Sequence, residues 1–191
     1  EATMTARKQG LNALDLLISD HKEVRKLIHQ YEKMHETASS EEKQALAEQI
    51  CAAFVLHADI EEQYFYPAAR DLLEETELIE EAEVEHASVR DLASQIRAMQ
   101  PDDPMYDATV KVLGEYIEHH AEEEEKEMFP KVKKAKLDLD TMGQQMLEAK
   151  ETISVPQSSA PGRPSTAKAS PPRAPCTSAI TMLPLTVART T

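Results

Sequence analysis

Apolar positions recur every three or four residues in four long stretches of the chain, the period of an α-helix that buries one face. The first runs from Leu11 to about Glu36, with Leu14, Leu17, His21, Val24, Ile28 and Tyr31 on its inner stripe. "TASSEE" interrupts it, and Ser39 with Glu42 has the spacing of a capping box for the next helix. The second stripe reads Leu46, Ile50, Phe54, His57, Glu61 and Tyr64, and Pro67 is expected to kink or end its regular part. The third begins near Thr76 and carries Ile79, Ala82, His86, Val89, Ala93 and Ile96 before "QPDDP" closes it. The fourth carries Val110, Leu113, Ile117, His120, Glu124 and Met128, with Pro130 following. Short connections between four amphipathic helices predict an all-α fold, an up-down-up-down four-helix bundle. "LDLDTMGQQMLEAKE" adds a short extra C-terminal helix after Asp140.

After Thr152 the periodicity stops and the composition changes. Seven of the 11 prolines fall in residues 151–191. The expected organisation is therefore a flexible N-terminus over 1–10, the bundle over 11–150, and a Pro/Ser/Ala-rich disordered tail over 151–191. The tail also takes four basic residues and one acid, which leaves residues 1–150 with 17 basic against 34 acidic groups, a net −17. So acidic a domain is a poor partner for nucleic acid or an anionic membrane, and suits a site that collects cations. The two cysteines, Cys51 and Cys176, form no CxxC motif, and Cys51 in "EQICAAF" reads as a small core residue. No apolar run reaches the roughly 20 residues of a membrane span, and no signal-peptide pattern is visible, so a cytoplasmic setting is expected. Met4 is a candidate natural start.

Two segments repeat without gaps: "HADIEEQYFYP" (His57 to Pro67) and "HAEEEEKEMFP" (His120 to Pro130). Each places a glutamate four residues after a histidine, on one helical face and one turn apart. A metal ion can bridge that gap, since imidazole and carboxylate suit non-haem iron, manganese or zinc. HxxxE alone is a weak signal, because "EEEE" also gives His119 a partner in Glu123. The stronger one is that His21, His57, His86 and His120 all replace apolar residues on inward stripes, where they would be costly to bury unpaired.

Loop positions test whether these histidines meet. In an antiparallel hairpin, two residues share a level when the loop lies midway between them. His21 and His57 centre on Ser39, His86 and His120 on Asp103, and His57 and His86 near Asp71 and Leu72, all at or close to the predicted turns. Glu61 and Glu124 stand about 6 Å further along their own helices. Four histidines and two carboxylates at one level are too many ligands for a single zinc with an open position and natural for two irons. His35 lies about 21 Å along the axis from His21, while His29 and His119 fall off the stripes; all three read as surface or helix-end residues. A ferritin-like site built on Glu32/His35 and Glu83/His86 is the structural rival. The level argument opposes it.

These residues resemble the hemerythrin family, in particular the bacterial HHE cation-binding domains. The likeness is carried by "DHKEVRKLI" with His21, "HADIEEQYFYP" with His57 and Glu61, "VEHASV" with His86, and "HAEEEEKEMFP" with His120 and Glu124, over roughly residues 11–150. It implies a four-helix bundle around two non-haem iron ions joined by an oxo or hydroxo bridge. Dioxygen, peroxide or nitric oxide would be the small ligand. The implied role is dioxygen or redox sensing or iron handling, with a catalase-like or nitric-oxide-responsive enzyme as the alternative. One feature departs from the oxygen-carrying members, which place a second histidine one turn from the first on the third helix. Here those positions are Ala82 and Arg90. Glu83, Glu62, Tyr66 or water are the candidates for the vacant ligand, and Tyr66 has only Phe129 as its counterpart in the second repeat.

Overall fold

The computed structural model describes residues 12–74 and 76–154, and every regular element among them is helical. Helix α1 (Ala13–Met34) starts at Asn12, whose side chain accepts the Asp15 N–H. Helix α2 (Ser40–Ile60) starts at Ser39 with both halves of the expected capping box formed to Glu42. It passes without a break through a π-helical turn (Glu61–Phe65) into α3 (Tyr66–Arg70). Helix α4 (Glu77–Ala98) runs back, and α5 (Tyr106–Glu123) passes through a second π turn (Glu124–Met128) into α6 (Phe129–Lys134). Helix α7 (Leu139–Ser154) is the extra helix, and it extends beyond residue 150. The expected tail, from residue 155 onward, and the expected N-terminal segment over 1–10 lie outside the described residues.

Helix α1 packs on α2 and α5, and α4 packs on the same two, which closes the up-down-up-down bundle. Helix α7 lies against α1, α2 and the first π turn. Among the described residues, no helix is long and apolar enough to cross a membrane.

The π turns correct the predicted stripe at one place. The α-helical period expects Tyr64 inward, but Tyr64 is only half-buried, whereas Phe65, Tyr66 and Ala69 are fully buried. The Tyr66 N–H bonds to the Glu61 carbonyl, five residues back, so one extra residue enters the turn and rotates all that follows. Pro67 does not itself break the ladder. It sits in the first turn of α3, where a missing N–H is tolerated. The second copy does the same, with Phe129 N–H on the Glu124 carbonyl and Pro130 just after.

The core divides into two apolar clusters. On each of the four long helices a ligand-type residue stands between them: Leu17 lies on one side of His21 and Val24 on the other, and Ala82 and Val89 flank His86 in the same way. His21, His57, Glu61, His86, His120 and Glu124 are all 0–3% exposed, a polar layer across the middle of the bundle.

Candidate metal centre

Within this layer the four imidazoles turn their Nε2 atoms toward one another. His21 Nε2 lies 3.1 Å from His57 Nε2, and His86 Nε2 lies 3.3 Å from His120 Nε2. Between the pairs stand the two carboxylates. Glu61 Oε2 is 3.1 Å from His57 Nε2 and 3.3 Å from His86 Nε2, while Glu124 Oε2 is 3.3 Å from His21 Nε2 and 3.6 Å from His120 Nε2. Atoms of His21, His57, Glu61, His120 and Glu124 all fall within 4.8 Å of one another. The structure thus brings together all six residues that the loop-midpoint argument placed at one level.

Tyr66 joins them. Its hydroxyl donates to Glu124 Oε1 at 2.9 Å and lies 3.3 Å from both Glu61 Oε2 and His86 Nε2. The extra residue of the π turn makes this possible: five positions apart, Glu61 and Tyr66 would diverge by about 140° on a regular α-helix.

A second ring of charged groups surrounds the first. Glu125 Oε1 is 2.9 Å from His21 Nδ1, Glu62 Oε1 is 2.9 Å from His86 Nδ1, and Glu85 Oε2 is 3.0 Å from His120 Nδ1. Asp20 Oδ2 faces His57 Nδ1 at 3.5 Å. An ionised carboxylate only accepts, so in a neutral ring the hydrogen sits on Nδ1 and the Nε2 lone pair points inward. Cations anchor three of these carboxylates in turn. Arg25 bonds Glu125 at 2.7 Å and Glu118 at 2.9 Å, Arg90 bonds Glu62 at 2.6 Å and Asp59 at 2.8 Å, and Lys150 from α7 bonds Asp20.

Placing so many charges together moves their proton affinities. Burial acts to lower His57, but Glu61, Asp20 and Glu124 override it and push it up to about 9. Burial likewise acts against His120, and Glu124, Glu61 and Glu85 push it up to about 10. Burial acts to raise Glu61, yet His57, His120 and His86 hold its carboxyl well below 4.5. Burial, then the Glu124 and Glu61 charges, raise Tyr66 well above 10.

The donor set fits a cation. With Nδ1 occupied, two Nε2 lone pairs would face each other at 3.1 Å and two more at 3.3 Å, an arrangement that needs a proton or a metal ion between them. Glu61 Oε1 and Glu124 Oε2 are buried without a hydrogen-bond partner, as expected of oxygens meant for a metal. The mixed nitrogen and oxygen donors suit first-row transition metals.

The other predicted candidates fall elsewhere. Glu83 is on the surface with Arg70. Glu62 is spent on His86 and Arg90. Arg90, one of the two positions a turn from His86 where a histidine is lacking, thus orients a ligand-type histidine through Glu62. His35 bonds the Glu32 carbonyl at a helix end, and His29 and His119 are exposed, so the ferritin-like grouping is not assembled.

Sequence reasoning missed the outer ring: it passed over Asp20, Glu85, Glu125 and Arg25, took Glu62 only as a candidate for the vacant ligand, and took Arg90 only as a position without a histidine. A signal for it was present. "DHKEVR" (Asp20 to Arg25) repeats as "EHASVR" (Glu85 to Arg90), and Glu62 and Glu125 match in the other repeat. The contacts obey this internal symmetry: each first-helix acid serves the histidine of the following helix, and each Arg holds the glutamate on its own histidine.

Comparison with known proteins agrees with this geometry. Residues 12–132 match the hemerythrin HHE cation-binding domain. The crystal structure of a hemerythrin HHE cation-binding domain-containing protein from Mycobacterium kansasii is similar, with a TM-score of 0.63 and 27% identity over 74% of this chain and 86% of that one. A DNA nickase from Nostoc sp. is 26% identical over 131 residues, which is 69% of this chain but 36% of the relative, so the chain spans about a third of that protein. The match over most of the bundle, with a His/Glu cluster that fits metal binding at its centre, shows that the chain belongs to the hemerythrin HHE cation-binding family.

Proposed function

We propose that this chain holds two non-haem iron ions in its polar layer and acts in dioxygen or redox sensing or in iron handling. The observation that carries this reading is the convergence of four Nε2 atoms on two buried carboxylates, with oxygens of both left without hydrogen bonds. His21, His57, His86 and His120 would supply nitrogens, and Glu61 and Glu124 oxygens able to serve both ions. Tyr66 is the oxygen nearest the place of the missing fifth histidine. Bound iron would supply redox change and a coordination position for dioxygen, peroxide or nitric oxide. The protein's own part is to keep the layer dry between two apolar clusters, to fix the imidazole tautomers through the outer carboxylates, and to hold the Tyr66 proton toward Glu124.

Tyr66 also favours a second reading, an enzyme that removes peroxide. This tyrosine oxygen would stabilise an oxidised metal if it gives up its proton on binding, or would place that proton beside the small ligand if it keeps it. The DNA-directed activity named for the nickase relative is not carried over. The acidic bundle repels a phosphate backbone, and the shared region is a minor part of that protein.

Metal analysis of the purified chain, with an optical spectrum through a cycle of deoxygenation and reoxygenation, tests the proposal. Two irons per chain and a reversible spectral change support it; an iron content well below one per chain sinks it. Rapid oxygen evolution from peroxide, lost in His57→Ala and Glu61→Ala, would select the enzyme.

A further inference from the structure

The internal symmetry of the centre is broken on one face. Asp20 and Glu85 occupy matching positions, and each faces a buried histidine Nδ1. Asp20 is covered: α7 lies over α1 and α2 and bonds it through Lys150. Among the described residues no such lid covers Glu85. Its Oε2 binds His120 Nδ1 at 3.0 Å, while its Oε1 points outward to His119 Nε2 at 3.6 Å. His119 Nε2 is also 3.6 Å from Glu123 Oε1. Ligand atoms of Glu85, His119 and Glu123 lie within 4.8 Å of one another.

The repeat shows that this trio is not a requirement of the fold. The positions matching His119 and Glu123 in the first repeat are Leu56 and Ile60, which belong to the apolar cluster on which α7 packs. Where one face carries leucine, isoleucine and a lysine lid, the other carries an imidazole 59% exposed and a carboxylate 29% exposed. Glu81 and Glu127 add negative charge around Glu123. Behind the trio, Glu85, Glu123, Ala82 and Met128 close against His120 and Glu124 with no room for a water molecule between them.

The geometry points to a second, solvent-facing site for a divalent first-row cation at Glu85, His119 and Glu123. This site stands on the surface trio alone and does not depend on the reading of the buried layer as a metal centre. One imidazole and two carboxylates, with water completing the shell, form a weak, exchangeable site. Glu85 links the two sites, since its two oxygens face His119 and His120. Like charge at the rim draws cations from solution and excludes anions.

The test uses the full chain and the variants His119→Ala, Glu123→Gln and their double, none of which touches a residue of the inner layer's ligand set. Zinc(II) is titrated by calorimetry into chains with the inner centre loaded and into chelator-treated chains. The wild type is expected to show one weak site in both preparations, and each single variant to weaken it by about tenfold or more. Identical titrations of wild type and double variant overturn the site. A weak site that persists while the inner centre retains no metal separates this proposal from the first.

Discussion

The Tyr66 hydroxyl donates a 2.9 Å hydrogen bond to Glu124, across the bundle from one π turn to the other. Its counterpart, Phe129, has no oxygen to offer, so the two halves of an otherwise repeated site differ in one phenol. Phe129 stacks parallel to the His21 ring at 6.0 Å, much as Tyr66 stacks on His86 at 5.5 Å. The ring is structural in both copies, and only the oxygen is extra.

Replacement Tyr66→Phe should therefore fold. Losing the hydroxyl leaves Glu124 Oε1 without its donor, at a cost to the chelator-treated chain of about 1–3 kcal/mol, read by denaturant unfolding. If Tyr66 binds iron, the loaded chain loses a visible charge-transfer band while retaining its metal. A spectrum identical to that of the wild type would remove Tyr66 from the ligand set.

The raised histidines set the pH behaviour of the chelator-treated chain. His57 and His120 stand at about 9 and about 10, above their ordinary 6.5. Their contribution to stability is complete below 6.5 and is lost as pH rises through 9 and 10. Glu61 is shifted the other way from 4.5, so its contribution is present above 4.5 and disappears as pH falls through its lower folded value. Thermal midpoints measured against pH should be highest in mildly acidic solution and fall steadily above neutrality. A rise from pH 7 to 10 would contradict the assignment.

Metal loading must expel those same protons. At pH 7 His57 and His120 are charged in the chelator-treated chain, and a ligating imidazole is neutral. Loading at neutral pH should release protons, and affinity should climb with pH until about 10. Calorimetry of metal binding in buffers of differing ionisation enthalpy measures the release; an unchanged heat across buffers would refute it.

Arg25 and Arg90 are expected to act through the residues they hold. Arg90→Gln leaves Glu62 without its 2.6 Å partner and so loosens His86, and Arg25→Gln does the same to Glu125 and His21. Each should weaken metal retention against a competing chelator by about 10- to 100-fold, with helicity unchanged. Arg90→His is the informative variant: it restores a histidine one turn from His86 at the expense of the Glu62 anchor. Retention above that of Arg90→Gln would show that the new imidazole reaches the metal.

Removing the helix cap is a control for the bundle itself. Ser39→Ala deletes one half of a formed capping box, far along α2 from His57. It should cost about 0.5–2 kcal/mol of stability and leave metal content untouched. Loss of metal in this variant would mean that the centre depends on the whole α1–α2 hairpin.

What could be read from the chain alone was whatever follows from regular helices. The three-and-four period named the inward positions, and the loop midpoints placed His21, His57, His86 and His120 at one level, because an α-helix advances by a fixed rise and turns by a fixed angle. Two things escaped that arithmetic. The π turns at Glu61 and Glu124 insert a residue that the hydrophobic pattern does not mark, and only this rotates Tyr66 onto Glu124 instead of leaving Tyr64 inside. The outer carboxylates escaped for a different reason: in a chain with 35 acids, Glu62, Glu85 and Glu125 look like any solvated face. Their roles depend on which imidazole edge the neighbouring helix presents, a relation between helices that no single helix's period contains. The lid of α7 over Asp20, with none over Glu85 among the described residues, belongs to the same class. It was decided where the extra helix docks, and with it which side of a repeated site faces water.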